Sequence, residues 1–224
     1  MIPPLTNHFD IVVCAPRTSK ILSSLDKAID HFIKVFVKNV AELSPLPFAK
    51  IRAELVLYGS YKTDGKECIY NSGFIDILNE RHLIGEFISS TPCTGAEGEK
   101  LNCLEALTYS MLSDWDRDRH TRQIILFIAD SDSYELGECK ECEHYPISAP
   151  DFEGFLKLWS GKTPSSLLQS RKMLVMLAPP HYVFRRLIPS LDCLYDCFFD
   201  KNGNIDKYEL EDLYRSVAIR LYGD

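Results

Sequence analysis

The chain has 224 residues, of which 46% are hydrophobic and 25% charged, and its formal net charge is −7. That length suits one large domain with an ample core, and the acidic balance argues against a general nucleic-acid binder. No apolar run reaches the ~18 residues of a membrane span, and the N-terminus, MIPPLTNHFD, lacks the basic and apolar regions of a signal peptide, so a cytoplasmic protein is expected.

In chain order, Phe9 to Ala15 (FDIVVCA) predicts a first buried strand. Thr18 or Ser19 then caps a helix to about Leu43, with Ile21, Leu25, Ile29, Phe32, Phe36 and Val40 at helical spacing. Phe48 to Tyr58 alternates as a second strand, Gly59 to Lys66 is a turn region, and Cys68 to Ile77 predicts an edge strand. Asn79 is expected to cap a short helix to Ile88, and Ser89 to Lys100 is a Gly, Ser and Thr-rich loop before a helix from Leu101 to Leu112.

The unbroken apolar run Ile124 to Ala129 reads as a strand covered on both faces, ending in Asp130. A long connection follows over 131–161, with a short helix at Asp151 to Trp159, and Pro164 is expected to open another. Met173 to Leu177 and Asp192 to Phe199 predict the last two strands, with a short helix from Tyr182 between them. Asn202-Gly203-Asn204 turns the chain into a final helix, Asp206 to Tyr222, with Asp206 and Glu209 at capping-box spacing. Strands alternating with helices predict one domain over 1–224: an α/β, doubly wound, mostly parallel six-stranded sheet with one antiparallel edge strand. In such a sheet ligands bind at the carboxyl edge, where Asp130 and Asp132 stand.

Four stretches in this order, FDIVVCAPRTS, AELVLYGSY, TPCTGAEGEKLNCLEALTYSML and IILFIADSD, resemble the strands and loops of a von Willebrand factor A (vWA) domain, Rossmann-like in topology. The resemblance spans about Phe9 to Leu221 and implies a metal-ion-dependent adhesion site: an Asp-x-Ser-x-Ser first loop, a later Thr and a strand-terminal Asp. Here Cys14 stands at the first Asp position, Pro16 replaces the first Ser, and Thr18 is the hydroxyl that remains, while Thr94 and Asp130 match the other two loops. Mg²⁺ prefers six oxygens in near-octahedral array, and a soft thiol and a proline offer it little. Thr18, Thr94 and Asp130 are therefore a depleted Mg²⁺ set, and the plainer reading is a degenerate site whose loops still form a protein-binding edge.

The chain has eight cysteines, and without an export signal reduced thiols are expected. Cys139-x-x-Cys142-x-His144 has the spacing of half a zinc site, with an acidic exposed loop as the plainer account. Asp200 to Leu210 has the look of an EF-hand loop but is too short, and TGAEGEK lacks phosphate-loop spacing. The expected protein is thus a non-enzymatic interaction module or scaffold, without a required cofactor, using a binding edge of Thr18, Ser19, Thr94, Glu97, Asp130 and Asp132. The vWA resemblance implies a protein partner such as an AAA+ ATPase, within a bacterial stress or defence system. The alternative is a Mg²⁺-dependent phosphoryl or phosphodiester hydrolase using Asp130 and Asp132.

Overall fold

The elements of a computed structural model, described for residues 6–222 except 45, 119, 147, 166 and 200–206, follow the apolar periodicities closely. They run β1 (Asn7–Pro16), α1 (Ser19–Leu43), β2 (Phe48–Tyr58), α2 (Tyr61–Asp64), β3 (Ile69–Asn71), β4 (Ile75–Asp76), α3 (Ile77–Glu80), α4 (His82–Ser90), α5 (Cys103–Met111), β5 (Thr121–Ile128), α6 (Phe152–Trp159), β6 (Lys172–Ala178), α7 (Tyr182–Arg185), β7 (Leu194–Phe198) and α8 (Lys207–Tyr222). Seven strands form one sheet in the order β3-β2-β1-β5-β6-β7, with β4 also on β2. β1 pairs in parallel with β2 and β5, setting Val13 between Leu55 and Leu126. β6 and β7 extend the parallel array, and β3 and β4 run antiparallel to β2.

Alternation along β1 divides the core into two layers. Phe9, Ile11, Val13 and Ala15 pack with Leu25, Ile29, Phe32 and Phe36 of α1 and Val217 of α8. Val12 and Cys14 face the other way, toward Leu104 and Leu107 of α5 and Phe155 of α6. A sheet buried on both faces explains the unbroken apolar runs of β1, β5 and β6.

The expected edge strand is split, which raises the strand count from six to seven. The Ser72 hydroxyl accepts from the Leu55 N–H at 2.9 Å while Ser72 N donates to the Leu55 carbonyl, and Gly73 turns the chain at φ 67°. Asn79 is not the cap of the next helix. Asp76 caps α3 by accepting from Leu78 N at 2.9 Å, and the Asn79 side chain donates to the same carboxylate. Pro164 opens no helix among the described residues: Leu168 N donates to the buried Gln123 side chain at 2.6 Å instead of closing a helical turn. Asp151 caps α6 through Gly154 N at 2.8 Å. The Asn202-Gly203-Asn204 turn, the Asp206–Glu209 capping box and most of the EF-hand-like stretch lie outside the described residues.

Phe32 stacks on Phe36 and meets Tyr214 edge-on, with no exposed surface. Phe32→Ala is expected to cost about 3–5 kcal/mol in urea unfolding, against roughly 0.5 kcal/mol or less for Leu112→Ala at a side chain 57% exposed.

Candidate functional site

α1 connects β1 to β2 on one side, whereas β5 pairs with β1 on the other, so the loops after β1 and β5 diverge at a switch point of the carboxyl edge. Thr18 caps α1, accepting from Ile21 N at 3.4 Å, and its hydroxyl donates to Asp130 Oδ2 at 2.5 Å. Asp130 Oδ1 is buried and has no hydrogen-bond partner among the described residues. Burial pushes the Asp130 carboxyl above the ordinary range, the nearby Glu97 charge adds to this, and the Thr18 hydroxyl and Lys20 oppose it. Glu97 is exposed and accepts from the Ser19 N–H, and backbone and side-chain hydrogen bonds from Ser19 hold its carboxyl below its usual value.

Thr94 goes elsewhere. Its hydroxyl donates to Asp64 Oδ2 at 2.6 Å, and Asp64 also accepts from Ser60 N at 2.8 Å and Gly95 N at 2.9 Å. Behind this carboxylate lies Arg17, 1% exposed. Its Nη1 donates to the Pro92 carbonyl and its Nη2 to the Glu67 carbonyl, both at 2.6 Å, with Asp64 Oδ2 at 3.4 Å and the Tyr70 ring 4.8 Å from Cζ. Arg17 N also donates to the Tyr58 carbonyl and Thr94 N to the Arg17 carbonyl. One buried guanidinium thus joins the loops after β1, after β2 and before α5. Gly59 leaves room for it: a Cβ there would lie 2.1 Å from Asp64 Oδ2, 2.7 Å from Thr94 Oγ1 and 3.0 Å from Arg17 Nη2.

The remaining edge residues are fixed from below. Leu101 N donates to the Asp132 carbonyl and Tyr134 N to the Leu101 carbonyl. Lys100 Nζ lies 3.4 Å from Asp132 Oδ2, and Asp132 Oδ1 accepts from Ser133 N. Sequence reasoning anticipated Thr18, Ser19, Thr94, Glu97, Asp130 and Asp132 as edge residues but missed Arg17, Gly59 and Asp64. A charged residue next to Pro16 in an otherwise buried strand-to-helix turn was the available signal.

As a set for Mg²⁺, these donors fall short. Cys14 is fully buried and burial drives its thiol far above the ordinary value, with the Ser110 hydroxyl beside it. Pro16 offers no side-chain ligand, and Thr94 is held by Asp64, so Thr18 and Asp130 alone of the three expected ligands meet. The zinc-like trio is unevenly exposed, although Cys142 packs against the cluster that holds Cys139. Cys139 is buried with Tyr61, Cys68 and Tyr134, Cys142 is half-buried, and His144 is exposed with Glu143 at 3.9 Å. Among the described residues no group of three His, Cys, Asp or Glu side chains is arranged to hold a metal ion.

The long connection forms a second surface. Leu136, His144, Pro146 and Pro150 meet Tyr61, Glu105, Tyr109 and Leu112 around a groove of about 570 Å³. Tyr145 donates to Glu105 Oε1 at 2.8 Å and accepts from Gly137 N at 2.9 Å, tying this connection to α5.

No protein-family model matches the chain, and comparison with curated proteins gives no match. Solved structures do resemble it. The pilus adhesin SpaC of Lactobacillus rhamnosus GG superposes with TM-score 0.56 at 11% identity, over 97% of this chain and 31% of that one. The VWA domain of SpRpn10 superposes with TM-score 0.50 at 9% identity, over 93% of this chain and 94% of that one. This chain therefore spans about a third of the SpaC chain and nearly all of the isolated domain. At these identities the likeness establishes the fold, a vWA-like Rossmann sheet. No helix among the described residues is long and apolar enough to cross a membrane.

Removing one partner of a buried ion pair strands the other. Arg17→Ala is expected to lower unfolding free energy by about 3–5 kcal/mol, and Arg17→Lys to recover little, because one ammonium replaces a fork that reaches two carbonyls. Chemical denaturation checks both. Asp130 gives the opposite sign. Its folded-state pKa is raised, so its contribution is fully present below the unfolded value of about 3.9 and is lost as pH rises through the folded value. Asp130→Asn should flatten that fall and melt at or above the wild type at neutral pH, which thermal melts across pH will show.

Proposed function

We propose that the chain is a non-enzymatic interaction module whose carboxyl-edge loops bind a partner protein without a bridging metal ion. The observation that carries this reading is the buried Arg17 guanidinium, which draws Asp64 and Thr94 inward and ties three loops together. In a metal-dependent adhesion edge, a cation both orders the loops and receives a partner's carboxylate. Here the ordering role falls to Arg17. What remains outward is a set of polar groups on fixed loops: Ser19, Glu97, Lys100 and Asp132. Preformed loops lower the ordering cost of association, which favours recognition by shape and charge. The vWA-like fold is compatible with an AAA+ ATPase partner and with a role in a stress or defence assembly, and both belong to the proposal.

The alternative, a Mg²⁺-dependent hydrolase, draws on Asp130 Oδ1, unpartnered among the described residues. It lacks a second free carboxylate of the expected pair, since Asp132 is engaged by Lys100 and the Ser133 N–H.

Two measurements separate these readings. Melting midpoints in EDTA and in about 10 mM Mg²⁺ should coincide, because only a ligand of the folded state shifts them. A Mg²⁺-dependent rise, lost in Asp130→Ala, would revive the hydrolase and call for phosphatase and phosphodiesterase assays. Photo-crosslinking residues at Ser19 or Glu97 should trap a protein partner in the native host, and one at Lys34 on the exposed face of α1 should not. Capture from Lys34 alone would overturn the proposed edge.

A further inference from the structure

The opposite, amino-terminal edge of the sheet holds a polar cavity of about 680 Å³, inside the range of ~300–1,000 Å³ typical of small-molecule sites. Arg122, Arg171, Lys172 and Arg220 line it, against one carboxylate among the described residues, Asp192. Within a chain of net charge −7 this local reversal of sign stands out.

The four cations are not equivalent. Lys172 is consumed internally: its ammonium donates to the Trp159 carbonyl and to Gln169 Oε1 at 2.6 Å, and Asp192 lies at 3.2 Å. That pairing also removes Asp192 from the balance. Arg122 is half-buried at the start of β5, with Cζ 4.0 Å from the Tyr222 ring centroid. Its Nε donates to the Leu221 carbonyl at 3.2 Å, capping the end of α8. No hydrogen bond among the described residues engages its Nη1 or Nη2, and neither Arg122 nor Arg171 has a carboxylate partner there. Arg171 sits close enough that, after burial, its charge helps hold the Arg122 guanidinium below its ordinary value, and both arginines act on the Tyr222 hydroxyl. Two like charges line one cavity, one of them braced against an aromatic ring, and such an arrangement suits an anion. Arg220 and the Ser44 and Ser170 side chains complete the wall.

We infer that this cavity binds a small molecule through a phosphate-monoester group, with Arg122 and Arg171 as the recognising pair. A dianion fits better than a monocarboxylate, since two guanidiniums line the cavity with no carboxylate partner among the described residues. The volume beyond the phosphate leaves room for an organic body.

Isothermal titration calorimetry on the full chain at low ionic strength tests this with inorganic phosphate, glucose 6-phosphate and succinate. Both phosphates should bind, and both should weaken as salt is added. Arg171→Gln, which breaks no hydrogen bond among the described residues, should weaken them at least tenfold, and Arg122→Gln likewise in protein shown by its melt to be folded. Lys34→Gln, remote from the cavity, should leave binding unchanged. Succinate binding as tight as phosphate would overturn the phosphate assignment. Absence of phosphate binding, or binding indifferent to Arg171→Gln, would overturn the site itself.

Discussion

A guanidinium sealed from water needs acceptors around its plane, and at Arg17 that requirement organises the whole carboxyl edge. The Glu67 and Pro92 carbonyls and the Asp64 carboxylate come from segments far apart in sequence, so the loops that carry them have to converge. Thr94 and the Ser60 and Gly95 amides then saturate Asp64. The crowding around Gly59 follows from the same convergence. Breaking such a pair is far more damaging than its net contribution, because the survivor keeps its desolvation penalty without its counter-charge. The edge is therefore ordered by internal chemistry, and this is the physical basis for reading it as a recognition surface.

Much of the fold was legible because apolar periodicity reports which faces are covered. The runs in β1, β5 and β6 are buried on both sides, and the α1 stripe from Leu25 to Val40 lies against the sheet. Errors arose where a polar side chain replaced a regular backbone bond. Ser72 breaks the edge strand, Asp76 rather than Asn79 caps α3, and Gln123 takes the amide of Leu168 that a helix after Pro164 would have used. The site was legible by position but not by partnership. Motif spacing located Thr18, Thr94 and Asp130 on neighbouring loops, yet it gave no sign that Thr94 turns toward Asp64, since half of the Arg17 environment is backbone carbonyl. Such groups carry no residue-specific signature.

Local clusters of opposite charge stand at the two ends of the sheet. Glu97, Asp130 and Asp132 stand at the carboxyl edge, and Arg122, Arg171 and Arg220 at the amino edge. With strands rising about 3.3 Å per residue, eight residues of β5 separate these ends by more than a Debye length at physiological salt. The two clusters are thus electrostatically screened from one another.

The crowding at Gly59 also constrains the paths by which such an edge changes over generations. Introducing oxygen ligands at Cys14 and Pro16 would not create a cation site, because Thr94 would stay bound to Asp64 while Arg17 remained. Removing Arg17 first would pass through a chain with an unpaired buried carboxylate. Each single step toward a cation-ordered edge is neutral or harmful until several are made together. An edge of this kind, once its ordering charge is covalently built in, is held there by epistasis as firmly as by packing.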